Sequence, residues 1–370
     1  MVAVMSDLPE AIVRQCRART EQLLSSIEEI VTINSFSRHP EGGARVADVL
    51  MRELGDIPGI EASLHESSRF APHVVATTDA ASASASGCVA LVGHHDTVFP
   101  PGFFEGFRVD GRLARGPGVL DMKSGLVIAI SALRLLAEHD ELSGVPARFV
   151  IVSDEEIGSP EGASLLETEL DGADAALVFE AGRAHDAIIT ARKGTGGVRV
   201  TADGEDAIAT LAAYVDRAQA LTDYERGVTV NAGTVEGDAV KASALFDIRY
   251  ITLADGEALI GDLERLADEL PGNLTLSGGM ARPPLERTTA NVALFREYAG
   301  CAAPAGLGSS EASLIGGGSD ASTTAALGVP SIDGLGPRGT GFHTRDELIE
   351  IETLPQRLEA LVRFLWGRRR

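Results

Sequence analysis

Five short segments carry side chains able to do chemistry together. The first, Val92-Gly-His-His-Asp-Thr-Val98, follows an apolar run. A His two residues before an Asp offers a metal ligand plus a carboxylate that fixes its ring. The second, Arg115-Gly-Pro-Gly-Val-Leu-Asp-Met-Lys-Ser-Gly125, sets Asp121 between a Gly-rich turn and the start of a helix, where capping is the simpler role. The third, Val152-Ser-Asp-Glu-Glu-Ile-Gly158, holds three consecutive acids whose repulsion either water or a cation must relieve. Glu180 closes the apolar run Ala175-Ala-Leu-Val-Phe-Glu, and His343 lies in the loop Gly339-Thr-Gly-Phe-His-Thr-Arg-Asp-Glu347. Taken singly, each has a bland explanation. Jointly, two His and several carboxylates at strand ends and turns form a mixed N/O donor set suited to zinc.

Such sites need a scaffold, and an open α/β sheet places ligands beyond the carboxyl ends of its strands. Helical spacing covers residues 8–33 and 46–54. Residues 73–76 and 88–92 read as strands, with the small polar stretch 77–87 as a mobile hairpin loop between them. A helix over 124–139, a strand over 147–152, a short helix near 160–168 and a strand over 175–180 come next. This alternation predicts an α/β layer with a mostly parallel sheet. From Lys193 the order becomes strand 196–202, helix 206–221, strands 228–235 and 242–252, helix 257–269 and strand 273–277. That is the β-α-β-β-α-β pattern of a ferredoxin-like unit, and it reads as an insertion. The division expected is 1–192 and 285–370 for one domain and 193–284 for the other.

Composition excludes several functions. The 370 residues carry 32 Lys+Arg against 54 Asp+Glu, a net charge of −22. This argues against nucleic acid and against anionic membrane surfaces as partners. No apolar stretch approaches a membrane span, and the N-terminus lacks a secretory pattern. Cys16, Cys88 and Cys301 are odd in number and far apart, which fits a reducing, cytoplasmic setting. Arg368-Arg-Arg370 reads as a solvated basic tail. His39, His65, His73, His139 and His185 match no motif, and surface roles are expected for all five.

His94-His-Asp-Thr-Val98, Gly116-Pro-Gly-Val-Leu-Asp-Met-Lys-Ser-Gly125, Asp154-Glu-Glu-Ile-Gly158, Phe179-Glu-Ala-Gly182 and His343 resemble, in order, the motifs of the M20 family of dizinc exopeptidases and amidohydrolases. Glu180-Ala-Gly-Arg183 and Ala191-Arg-Lys-Gly194 look closer to its carboxypeptidase G2 branch than to the deacetylases. The resemblance implies a zinc-exopeptidase-like catalytic domain with an inserted ferredoxin-like lid and dimerisation domain, and a homodimer formed through that insert. It implies two Zn2+ ions, with Co2+ or Mn2+ as substitutes. His94 and Glu180 would hold one ion and Glu156 and His343 the other. Asp121 would bridge them, and a cis peptide would follow it. Asp96 would orient His94, while His95 fills a variable position. Glu155, a carboxylate beside a ligand, is the natural general base for a hydroxide attacking an amide carbonyl. Arg249, in Phe246-Asp-Ile-Arg-Tyr250, resembles an arginine that grips a substrate carboxylate. Gly318 and Ser319, in Gly316-Gly-Gly-Ser-Asp320, resemble a substrate-facing loop without the Lys of a phosphate loop.

The substrate expected is a small peptide or N-acyl amino acid, cleaved at an amide next to a carboxylate-bearing residue. An N-acyl-amino-acid deacylase and a catalytically impaired metal- or ligand-binding relative are the alternatives. The second arises because Val200-Thr-Ala-Asp-Gly204 runs straight into Glu205, where the family carries a lid histidine. No His lies between His185 and His343, and Gly237-Asp-Ala-Val-Lys-Ala-Ser243 is shortened as well. The expectation is that mobile segments are missing from the sequence near 204–205 and 238–241, which predicts breaks in the chain there.

Overall fold

The structure, a computed structural model, describes residues 8–84 and 87–370. The chain divides into two units, one made of residues 1–190, 288–312 and 327–370, the other of residues 191–287 and 313–326.

In the first unit, strands β1 (Ile60–His65), β2 (His73–Thr78), β3 (Cys88–His94), β4 (Arg108–Asp110), β5 (Leu113–Arg115), β6 (Ala147–Val152) and β7 (Ala173–Val178) precede the second unit's strands in the chain. The second unit supplies β8 (Gly194–Asp203), β9 (Thr229–Gly237), β10 (Lys241–Tyr250) and β11 (Asn273–Arg282). The first unit closes with β12 (Ser331–Ile332), β13 (Gly339–Thr340) and β14 (Leu348–Glu350).

The central sheet has the order β1-β2-β6-β3-β7-β12. Its β6–β3, β3–β7 and β7–β12 pairs are parallel, and β1 and β2 run antiparallel at one edge. β3 and β6 are nearly continuous buried apolar runs, as a sheet covered on both faces requires. The helix Ser124–Glu138 is apolar over most of its surface, with Leu126, Ile128, Leu133 and Leu136 buried, and only a narrow stripe with Ser131 and Arg134 turned outward, because it lies largely inside the core. A small antiparallel sheet, β13-β14-β5-β4, carries the turns around Asp121 and His343.

The second unit is an antiparallel sheet in the order β11-β8-β10-β9 with the helices Ala207–Gln219 and Leu253–Glu269. β8 and β10 alternate strictly between buried and outward residues, as a sheet with one packed face must. Tyr214 stacks edge-on against Phe246 and donates its hydroxyl to the Leu263 carbonyl at 2.9 Å.

Several sequence expectations need correction. Residues 77–87 do not close a hairpin, since β6 lies between β2 and β3. Thr78 instead caps a short helix, Asp79–Ser82, and Ala85 and Ser86 of that stretch lie outside the described residues. Residues 8–33 form two helices, Glu10–Ala18 and Thr20–Val31. No segment is missing near 204–205 or 238–241: the chain is continuous, and a short turn joins β9 to β10. Asp238 closes that turn by accepting the Val240 and Lys241 amides, and the Val240 carbonyl takes the Gly204 amide at 2.8 Å. The abbreviations belong to the protein itself.

The terminal arginines are not a free tail either. Arg368 clasps Glu297, Arg369 pairs with Glu141 and covers Trp366, and Arg370 reaches the Gly87 carbonyl and Asp174. In so acidic a chain they find carboxylates on the body of the unit. His73 is buried, not at the surface, and accepts the Ser153 amide on Nδ1 at 3.1 Å. Among the described residues no helix is long and apolar enough to cross a membrane. The three cysteines are free.

Candidate active site

Three adjacent parallel strands deliver the site. Neighbouring strands lie about 4.8 Å apart, so the residues just past the ends of β6, β3 and β7 meet at one sheet edge. His94 ends β3 in the middle, Glu155 and Glu156 come after β6 on one side, and Glu180 comes after β7 on the other. Asp121 comes from the turn before the helix Ser124–Glu138, and His343 from the loop between β13 and β14.

The distances are short. His94 Nε2 lies 3.4 Å from Asp121 Oδ1, 3.6 Å from Glu180 Oε1 and 4.0 Å from Glu155 Oε2. His343 Nε2 lies 3.2 Å from Asp121 Oδ2 and 3.1 Å from Glu156 Oε2. The two oxygens of Asp121 thus face different histidines. Two overlapping groups have the spacing to hold a cation: His94 with Glu155 and Glu180, and His94 with Asp121 and Glu156.

Asp96 supports the centre from behind. Its carboxylate stands 3.3 Å from His94 Nδ1, accepts the Ser37 hydroxyl at 2.7 Å, and takes the amides of Glu155 and Glu156 at 3.1 and 3.2 Å. Asp96 therefore orients the ring through its backbone carbonyl, 3.0 Å from His94 Nδ1, as well as through its carboxylate, and the carboxylate anchors the acidic turn. Asp154, the third acid of that turn, points away and accepts the Glu161 and Gly162 amides. His95 Nε2 lies 3.0 Å from the Pro72 carbonyl, and burial pushes the His95 pKa down to about 4.

Electrostatically the cluster is frustrated. Burial, then the charge of Asp121, pushes Glu180 well above the usual carboxylate range, and burial raises Glu156 too. The Asp121 and Glu156 carboxylates push His343 up to about 10. His94 Nε2 and Asp121 Oδ1 are buried with no hydrogen-bond partner. Orphaned buried polar atoms are costly, and a divalent cation converts the repulsion among them into attraction. Ligands sharing one tetrahedral cation sit about 3.4 Å apart, close to the separations found. The donor set and its orphaned atoms therefore fit a metal centre.

Asp121 does not cap the helix beside it. The Asp121–Met122 peptide is cis. Two charged residues in these motifs, with no role apparent from sequence, hold this turn. Glu347, fully buried, accepts the Leu120 and Asp121 amides on Oε1 at 2.8 and 3.0 Å and the Gly118 amide on Oε2 at 3.1 Å. Burial pushes its pKa up to about 8. Lys123, also fully buried, donates to the Ile30 and Ile33 carbonyls at the end of the helix Thr20–Val31, and burial brings its pKa down to about 7. Their signal in the sequence is a charged residue at a fixed offset from a candidate ligand.

Arg249, Gly318 and Ser319 all lie in the second unit. Arg249 forks onto Asp247 of its own strand at 2.7 and 2.8 Å and reaches the Gly316 carbonyl at 3.5 Å. Gly318 lies against the Arg282 side chain, and the buried Ser319 accepts the Ala321 amide.

Comparison with known proteins gives a consistent picture. A family model described as Peptidase family M20/M25/M40 matches residues 90–367. Carboxypeptidase G2 of Pseudomonas sp. (strain RS-16) is 28% identical over 380 residues, spanning 93% of this chain and 88% of that protein. Aminopeptidase PepT of Bacillus cereus superposes with a TM-score of 0.79 at 21% identity, covering 94% of this chain and 98% of its own. The YxeP protein of Bacillus subtilis, described as a dinuclear metal-binding peptidase of the M20 family, superposes at 0.69 with 15% identity over 94% and 98%.

Proposed function

Because the chain belongs to peptidase family M20/M25/M40, a family of metal-dependent hydrolases acting on peptides and acyl-amino acids, we propose that it cleaves an amide bond next to a carboxylate-bearing residue, as a glutamate carboxypeptidase does. One observation carries the reading: a His–carboxylate cluster in which the buried His94 Nε2 and Asp121 Oδ1 lack hydrogen-bond partners while His94 and His343 each face several carboxylates. The likeness to carboxypeptidase G2 supports the choice of substrate class.

In this reading His94 and Glu180 would hold one zinc ion and Glu156 and His343 a second, with Asp121 placed between the two histidines to serve either, and Co2+ or Mn2+ would substitute. Bound there, the ions supply Lewis acidity and lower the pKa of water. Glu155, which stands farther from His94 than Asp121 or Glu180 does, takes the proton of the attacking water and hands it to the leaving amine. Asp96 keeps the His94 ring in place. Arg249, released from Asp247, grips the substrate carboxylate, and Gly318 and Ser319 line its path. Homodimerisation through the second unit and a cytoplasmic setting complete the proposal.

A rival reading, a metal-binding relative without turnover, draws on the continuous chain that lacks a histidine between His185 and His343. The test is an assay of the zinc-loaded chain on peptides ending in glutamate and on N-acetyl and N-succinyl amino acids. Release of glutamate supports the proposal. Release of acetate or succinate makes the chain a deacylase, and zinc binding with no turnover on any of them favours the rival.

A further inference from the structure

Away from the carboxylate cluster, the first unit carries an arrangement of opposite sign. A cavity of about 260 Å³ is lined by Arg108, Arg115 and Arg345 with Phe104, Glu105 and Phe107. Arg108 and Arg115 are direct cross-strand partners on β4 and β5. Like charges placed so destabilise a strand pair. Arg345 lies over the Phe103 ring at 4.2 Å, which holds its guanidinium at the cavity. Among the described residues none of the three forms an ion pair. The lining carboxylate, Glu105, is turned to the Gly102 amide, which it accepts at 2.6 Å. In a chain with 54 acidic residues, three guanidiniums without an ion pair line one cavity whose single carboxylate is Glu105, a balance that favours an external anion.

We propose that this cavity is a binding site for the carboxylate of a small organic ligand. Guanidinium forks match a carboxylate in two-point contact. The rings of Phe104 and Phe107 give the same cavity apolar walls, which suit an organic body better than a bare inorganic ion. The site does not depend on which bond the metal centre cleaves. Arg345 follows His343 by two residues and Arg115 precedes the Asp121 turn, so the small sheet that positions the metal ligands also builds this cavity.

The test is calorimetric titration of the zinc-loaded full chain with succinate and, separately, with inorganic phosphate. Succinate binds, and Arg345→Gln and Arg108→Gln each weaken it about tenfold, with the chain still folded and no large drop in thermal midpoint because both side chains are exposed. Arg345→Lys, which keeps charge but loses the fork, lies between. Added salt weakens binding, as it does for exposed ion pairs. Succinate affinity that is absent, or untouched by the Arg345 and Arg108 changes, overturns the site. Phosphate binding tighter than succinate, with the same losses, overturns the carboxylate assignment. Turnover of the peptide panel is read separately, so failure of the hydrolase proposal leaves this result standing.

Discussion

At the level of single residues, Glu155 and Glu156 are chain neighbours with different surroundings. Glu156 meets His343 at 3.1 Å, whereas Glu155 stands 4.0 Å from His94. If the first is a ligand and the second a base, Glu155→Ala leaves zinc stoichiometry unchanged and lowers kcat by at least about 10²-fold. Atomic absorption with a turnover assay checks both, and lost metal with retained turnover refutes the assignment. Glu347 makes a second prediction. Ala in its place strands three buried amides, a cost of about 3 kcal/mol or more. Gln retains the acceptor for Leu120 and Asp121 but sets an amide group against the Gly118 N–H, so it costs less. Chemical denaturation should rank wild type above E347Q above E347A, and equal stability for all three would contradict the role. The candidate ligands were legible because each sits in a short motif with a Gly-rich turn or a strand end. Glu347 and Lys123 were not, because burial decides their task and a sequence does not display burial.

Among the elements, the parallel order β6-β3-β7 does the assembling. Buried apolar runs betrayed these strands. β1 escaped notice because none of its residues is buried at the sheet edge and half are exposed, and β4 and β5 because three residues are too few to show alternation. The stretch 77–87 reads as a hairpin loop only if neighbours in sequence pair, whereas pairing partners are set by the whole sheet. Gly125 shows how tightly these elements meet. A Cβ there would lie 2.3 Å from the Phe179 carbonyl oxygen and 2.8 Å from its side chain, next to Glu180. Gly125→Ala must therefore push the helix Ser124–Glu138 off the end of β7. We expect a loss of about 1–3 kcal/mol together with weaker zinc affinity. Stability loss with zinc affinity unchanged would mean that the displacement does not reach Glu180.

For the whole molecule, the charge balance and the cluster meet in one quantity, the stability gained from metal. Removing cations leaves His94, Asp121, Glu156 and Glu180 facing one another, so chelation lowers Tm by several degrees and zinc restores it. At free zinc about 100-fold above Kd, one site adds about 2.7 kcal/mol. Magnesium, which prefers oxygen ligands, restores less. An identical Tm with and without zinc would remove the metal from the account. The change of texture at Lys193 was legible, whereas the place of residues 313–326 in the second unit was not, nor was the continuity of the chain at 204–205, because an abbreviated turn and a missing segment read alike. The central claim is that His94, Asp121, Glu156, Glu180 and His343 together hold two divalent cations. Anomalous scattering from zinc-loaded crystals, recorded on both sides of the zinc absorption edge, tests it most directly. The account predicts two peaks, one against His94 and Glu180 and one against Glu156 and His343, with Asp121 touching both. A map without peaks there, or with zinc held elsewhere on the chain, would contradict it.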